Sequence, residues 1–305
     1  MDTAQNRTFK NWVIAVRPWS FTTSSVAVLV TIAYLFYLDC LGTLTHTDWV
    51  NVVLCLPLLM ILHAGGNLVS DYYDYERGVD GPECVNGVTW IRSGLFKPIE
   101  ILHYGWALLG TGAILGIVIL FRSDFSAIWL GFLGLALPFY YYVFKAHILG
   151  DFNILLCFAL LPSIGICYVG TGNYHTETLL YCLPYGLHIV AILHANNTRD
   201  IGNDRKAGLS TISGKIGLHV SQRVYLAEII IPYLLVLVFC LFCHLSWYLL
   251  ITFLSLPIGI KNIKTMMNAN SKNCSGISRL DQSTAQFQFL FGLLYALGFV
   301  AGGLL

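Results

Sequence analysis

Apolar runs of roughly 20 residues, the length a helix needs to cross hydrocarbon, recur along this whole chain. They fall at 19–38, 49–69, 101–121, 126–143, 153–170, 178–196, 225–242, 246–261 and 286–305. Of the 305 residues, 56% are hydrophobic and only 11% charged. A soluble domain carries about 25% charged residues, so an ordinary globular surface is excluded. The expected fold is all-α and integral to a membrane: nine transmembrane helices in one domain spanning 1–305. The first run starts near Trp19, lacks a small-residue cleavage site and is followed by many more, so no cleavable signal peptide is expected.

Lysine and arginine placement sets the orientation. With the N-terminus cytoplasmic, the alternation of nine spans puts 16 of the 17 basic residues on the cytoplasmic side and leaves Arg122 alone outside. The bias therefore supports the span count together with an N-in, C-out topology. A net charge of +1 gives no sign of a nucleic-acid partner. The nine cysteines are scattered, mostly within apolar runs. Cys240 and Cys243 form one C-x-x-C with no second pair, which reads as helix packing because a zinc site needs four ligands.

Two long cytoplasmic segments, 70–100 and 197–224, hold half of the 16 acidic residues. Ile61-Leu62-His63-Ala64 before the first recurs as Ile192-Leu193-His194-Ala195 before the second, a hint of an internal repeat with a site between the halves. Both histidines read as packing residues. In the first cluster (67–80), Asn67, Asp71 and Asp74 stand at i, i+4 and i+7, so a continued helix places them on one face. Gly78 is expected to end that helix and turn Asp80 back toward them. In the second cluster (196–208), Asp200 and Asp204 are again four apart. Carboxylates this close repel one another, and a hard divalent cation offsets that. Mg²⁺ takes one or two carboxylates and fills its shell with water and substrate phosphates. Arg77, Arg92, Lys145, Arg199, Arg205 and Lys206 stand ready for further phosphate oxygens. The pattern describes a magnesium–diphosphate site at a membrane edge. Intramembrane acids also mark ion pathways, but those lie deep in spans and these do not. Glu228, early in the seventh run, reads as a snorkelling interfacial acid. Phe139, Tyr140, Tyr141 and Tyr142 suit both an interfacial belt and aromatic faces for an allylic cation.

These motifs resemble the UbiA-type intramembrane prenyltransferase superfamily along nearly the whole chain, and within it the MenA branch of 1,4-dihydroxy-2-naphthoate polyprenyltransferases. The resemblance rests on Arg17-Pro18-Trp19-Ser20-Phe21, on GNLVSDYYDYERGVD from Gly66 to Asp80, and on NNTRDIGNDRKAG from Asn196 to Gly208 with Leu209-Ser210-Thr211. Arg92-Ser93-Gly94-Leu95 and Gly150-Asp151 also fit the branch. It implies nine helices around a central cavity open sideways to lipid, with Asp71, Asp74 and Asp80 on one Mg²⁺ motif and Asp200 with Asp204 on the other. Asn67, Asn197 and Arg199 fall on motif positions, and Tyr141 with Lys145 match an element associated with the diphosphate; Asp74, Asp200 and Lys145 are the expected catalytic residues. Ser70 departs from the family's usual asparagine, and Gly78 from the last aspartate of other branches. The implied reaction joins a polyprenyl diphosphate to an aromatic acceptor in a bacterial inner membrane, on its cytoplasmic face. Another acceptor such as 4-hydroxybenzoate, or a cation-coupled transporter, are the competing readings.

Overall fold

The structure, a computed structural model, describes residues 7–78, 89–146, 148–206, 208–270 and 274–305. Helix dominates it. The principal helices are α1 (Phe21–Cys40), α2 (Trp49–Glu76), α3 (Pro98–Arg122) and α4 (Ile128–Phe139). They continue with α5 (Gly150–Thr171), α6 (Leu183–Arg199), α7 (Leu218–Phe242), α8 (Trp247–Met267) and α9 (Leu280–Leu304). Short helices Phe9–Ala15, Thr89–Arg92, Tyr141–Ala146, Ile201–Lys206 and Ile212–Ile216 lie between them or lead in.

Seven segments among the described residues are long and apolar enough to cross a membrane; the first and fifth also include the short helices preceding α1 and α7. The two remaining expected spans are shorter. α4 has 12 residues, extended by a 3₁₀ turn at Phe125–Ala127, and stops after Pro138. At 1.5 Å per residue α4 reaches about 18 Å, against a hydrocarbon core of about 30 Å. α6 has 17 residues and is preceded by Thr178–Tyr181, with Pro184 in its first turn. Nine helical segments thus occupy the nine apolar runs, while length alone supports seven as spans.

Several helices run beyond their apolar stretch. α2 continues to Glu76 and α7 starts at Leu218, because a helix needs only its backbone bonds satisfied and polar side chains at its ends can face water. α1 packs along α9, α2 along α3, and α6 against α7 and α9. The main core is aromatic, with Tyr185, Tyr225, Phe287, Phe291, Tyr295 and Phe299 fully buried. Hydroxyls inside it are paired across helices: Tyr185 with Ser163 at 2.6 Å, Tyr225 with Thr284 at 2.7 Å and Tyr233 with Ser255 at 2.6 Å. Such pairing keeps polar groups from standing alone in lipid.

α5 contains a π-helical turn at Leu156–Leu160, where the Leu161 N–H bonds back to the Leu156 carbonyl. Pro162 explains it. Proline has no N–H to offer the Phe158 carbonyl four residues earlier, so the helix widens by one residue there. Cys157 and Phe158 on this turn face a cavity of about 370 Å³. Leucines of α2, small residues of α3 and α4, and the middle of α5 line it, including Leu58, Leu62, Gly112, Gly116, Gly134 and Gly165. Ile117, Ile128 and Phe132 line the cavity and are also exposed on the outer surface, so it opens sideways between α3 and α4.

Candidate active site

The first motif folds as its spacing requires. α2 runs unbroken through Asn67, Asp71 and Asp74 and ends at Glu76, with Gly78 at φ +66° in the left-handed region that glycine adopts freely. Asp71 is 2% exposed and Asp74 9%. Asp71 pairs with the Arg17 guanidinium, and the Ser70 hydroxyl lies 3.5 Å from Asp74 Oδ2. Asn67 Nδ2 donates to Ser20 Oγ at 3.2 Å. Arg77 lies over the Tyr142 ring at 4.8 Å and donates to the Tyr142 carbonyl at 3.3 Å. Tyr142 itself stacks on Tyr73 at 3.9 Å. Of the aromatic tetrad, Tyr142 makes these contacts with α2, and Tyr141 is half-buried in the first turn of Tyr141–Ala146. Arg92 ends the short helix Thr89–Arg92 and is exposed. Asp80 and the side chain of Lys145 lie outside the described residues.

The second motif sits at the end of α6. Asp200 caps α6, and a new helix, Ile201–Lys206, carries Asp204; the Asp204 N–H still donates to the Asp200 carbonyl at 2.8 Å, so the four-residue spacing stays helical. Asp204 is buried. Arg199 grips both Asp200 oxygens, at 2.6 and 3.0 Å, and reaches Asp281 at the start of α9 at 3.0 Å. Asn197 Nδ2 donates to Asp151 Oδ1 at 3.4 Å.

The two motifs occupy the same end of the bundle. Tyr73 and Arg77 of α2 hold the Tyr141–Ala146 helix, the chain then enters α5 at Gly150-Asp151, and Asp151 meets Asn197 of α6. Among the described residues no three or more His, Cys, Asp or Glu side chains converge as a ready metal cage. The donor types nevertheless fit a hard cation: four carboxylates and two carboxamides, all oxygen ligands. Two of the carboxylates, Asp71 and Asp200, are held by the chain's own arginines.

Sequence reasoning missed several residues. Arg17, in the Arg-Pro-Trp-Ser-Phe run, takes a left-handed backbone (φ +56°) ahead of Pro18 and reaches Asp71. Glu228 is not an interfacial snorkeller: it is buried, 3.4 Å from His194 Nδ1, with Asp151 Oδ2 4.0 Å from the same nitrogen. The repeated Ile-Leu-His-Ala was the available signal, since each copy delivers its histidine to a polar pocket beside a motif. His63 meets Ser20 and Ser24, and His194 meets Asp151 and Glu228.

Comparison with known proteins agrees with this architecture. The model of the UbiA prenyltransferase family matches residues 27–275. UbiA prenyltransferase domain-containing protein 1 of Homo sapiens is 30% identical over 298 residues, covering 95% of this chain and 83% of that protein. Its Danio rerio counterpart is 28% identical over 295 residues, covering 95% and 83%. Among solved structures, a UbiA homolog from Aeropyrum pernix K1 superposes with a TM-score of 0.64 at 17% identity, over 88% of this chain and 96% of that one. A UbiA homolog from Archaeoglobus fulgidus bound to GPP and Mg²⁺ gives 0.59 at 13% identity, over 93% and 99%. At those identities the solved structures speak for the fold alone; the matched family model and the human relative carry the assignment. This integral membrane chain belongs to the UbiA prenyltransferase family.

Proposed function

We propose that this prenyltransferase moves a polyprenyl group from polyprenyl diphosphate onto 1,4-dihydroxy-2-naphthoate, releasing diphosphate and CO₂ to give demethylmenaquinone in its reduced, quinol form. One observation carries the reading: two carboxylate motifs share one bundle end, next to an apolar cavity open to lipid. The cavity suits a prenyl tail drawn from the bilayer, and the motifs suit its diphosphate.

Asp71, Asp74, Asp200 and Asp204, joined by Asp80, would hold Mg²⁺. When bound, the metal neutralises charge on the departing diphosphate. Asn67, Arg77, Arg92, Tyr141, Lys145, Asn197 and Arg199 serve the remaining phosphate oxygens, arginine best because its fork matches them two at a time. The apolar walls keep water from the allylic cation. Solved relatives bound to GPP or DMAPP with Mg²⁺ support this choice of donor and metal. The naphthoate acceptor rests on the Arg17–Phe21 and Gly78-Val79-Asp80 features of the sequence. The placement of basic residues supports an active site facing the cytoplasm. The sequence relatives at 28% and 30% identity are animal proteins, which lends no support to a bacterial inner membrane.

The test is pyrophosphate release by purified protein supplied with Mg²⁺, a prenyl diphosphate and either dihydroxynaphthoate or 4-hydroxybenzoate. Asp74→Asn and Asp200→Asn are each expected to lower turnover about 100-fold or more, the scale of losing one preorganised electrostatic contact. Chelating the metal should abolish it. Full turnover in both variants removes the proposed site; product with 4-hydroxybenzoate alone replaces the acceptor. Consumption of prenyl diphosphate without any ion gradient separates an enzyme from a cation-coupled transporter.

A further inference from the structure

The cavity wall is apolar except where its end nearest the carboxylates presents Ser24, His63 and Cys157. His63 is half-buried on α2, one turn before Asn67 and two before Asp71, about 6 and 12 Å along the helix axis. An aromatic ring resting there would lie against the imidazole, at the end of the cavity nearest the diphosphate motif. Phe158, placed by the π-helical turn of α5, packs directly against the imidazole. Its ring stands edge-on to His63 with centroids 4.6 Å apart, and Phe21 flanks the imidazole at 5.7 Å. π-turns occur disproportionately at functional sites, and this one puts an aromatic ring beside the one histidine that lines the cavity among the described residues.

Hydrogen bonding fixes which nitrogen is basic. The Ser20 hydroxyl donates to the Arg17 carbonyl at 2.8 Å, so its lone pairs face Asn67 Nδ2 and His63 Nε2, the latter at 3.4 Å. The shorter Ser20–Arg17 bond and the Asn67 donation favour the tautomer with the His63 proton on Nε2 and the lone pair on Nδ1. Nδ1 lies 3.3 Å from Ser24 Oγ, and that hydroxyl has a second acceptor in the Phe21 carbonyl at 3.2 Å. The serine can donate to a neutral Nδ1 and swing to the carbonyl once Nδ1 gains a proton.

We infer that His63 is a catalytic residue of this site, taking, through the Ser24 hydroxyl, the proton of a phenolic acceptor seated in the cavity against Ser24, His63 and Phe158. The inference rests on the prenyl-transfer reading. As the acceptor's O–H proton passes to Ser24 Oγ and the Ser24 proton moves to Nδ1 across their 3.3 Å contact, the aryl oxide pushes electrons to the neighbouring ring carbon. That carbon bonds to C1 of the prenyl chain, and the C1–O bond breaks with its electron pair leaving on diphosphate. When the ring carbon then loses its carboxylate as CO₂, the released pair restores the aryl oxide, and Nδ1 returns the proton to it through Ser24. His63 ends as it began.

The experiment compares wild type with His63→Ala and His63→Gln on dihydroxynaphthoate and a panel of simple phenols, following prenylated product. His63→Gln preserves side-chain hydrogen bonding if alanine does not fold, and melting temperature in detergent shows which variants are folded. The expected result is a loss of about 100-fold or more in kcat, with KM for the prenyl diphosphate within about twofold of wild type. Added imidazole should partly restore the alanine variant, which a packing role would not allow. Product formation within about threefold of wild type in the folded variants overturns the inference and leaves the prenyltransferase reading standing. A wild type that prenylates no acceptor overturns that reading, and the inference with it.

Discussion

Arg199 is 9% exposed, with carboxylates on two sides, and is the joint between the second motif and the last helix. Its Nε and Nη2 hold both oxygens of Asp200 and its Nη1 holds Asp281, so one guanidinium ties the end of α6 to the start of α9. Breaking a buried ion pair by removing one partner costs about 3–5 kcal/mol. Asp200 and Asp281 keep 28% and 21% of their side-chain surface, so water recovers part of that, and about 2 kcal/mol is expected for Arg199→Ala. Arg199→Lys keeps the charge and loses the two-pronged grip. Thermal unfolding in detergent should therefore rank wild type, lysine and alanine in that order; equal melting temperatures would mean the pairings contribute nothing. The same grip bears on function. Asp200 is preset in orientation, and any cation it shares with substrate must compete with a guanidinium already in place.

At the scale of elements, the first motif depends on how closely α2 approaches α3. Gly65 and Gly105 face each other: a Cβ on Gly65 would stand 3.1 Å from the Gly105 carbonyl oxygen and 2.8 Å from Leu109. A Cβ on Gly105 would stand 3.1 Å from the Gly65 oxygen and 3.0 Å from Val69. Small residues allow this backbone contact, a common way for helices to pack in lipid. Gly105→Ala is expected to destabilise by about 1–3 kcal/mol through overpacking, and to lower activity because α2 carries Asn67, Asp71 and Asp74. Gly110→Ala on the same helix meets nothing within 4 Å and should be neutral or stabilising by up to about 1 kcal/mol. Similar unfolding curves for the two variants would show that the approach is not tight. The sequence made this helix legible, since the i, i+4, i+7 spacing and the stop at Gly78 are local properties of a chain segment. The π-turn was legible only in part: Pro162 is visible, but that the freed turn aims Phe158 at His63 depends on which helix lies opposite. Glu228 and Arg17 were misread or passed over for the same reason. Their partners, His194 and Asp71, are 34 and 54 residues away, and no periodicity encodes a contact at that range.

The whole molecule is polarised end to end. The carboxylate motifs, Arg17, Arg77 and Arg199 lie at one end; at the other, Arg122 bonds Asn51 at 2.9 Å and Asp48 at 3.2 Å, binding α2 to α3. That second end also exposes Cys40, where α1 finishes, and Cys243, just past α7. If the bundle spans the membrane as its apolar helices require, these thiols and the exposed Arg205-Lys206 pair of the second motif face opposite compartments. Sealed proteoliposomes hold molecules in both orientations, and added trypsin and a membrane-impermeant maleimide reach only the outer face. Chains cut after Arg205 or Lys206 should then carry no label on Cys40 or Cys243, and labelled chains should be uncut. Mass spectrometry of the separated populations reads both events on one polypeptide. Substantial label on Cys40 or Cys243 in the cut chains would place both ends on one side of the bilayer, and a lipid-fed cavity beneath two motifs at one membrane face could not be built from that arrangement.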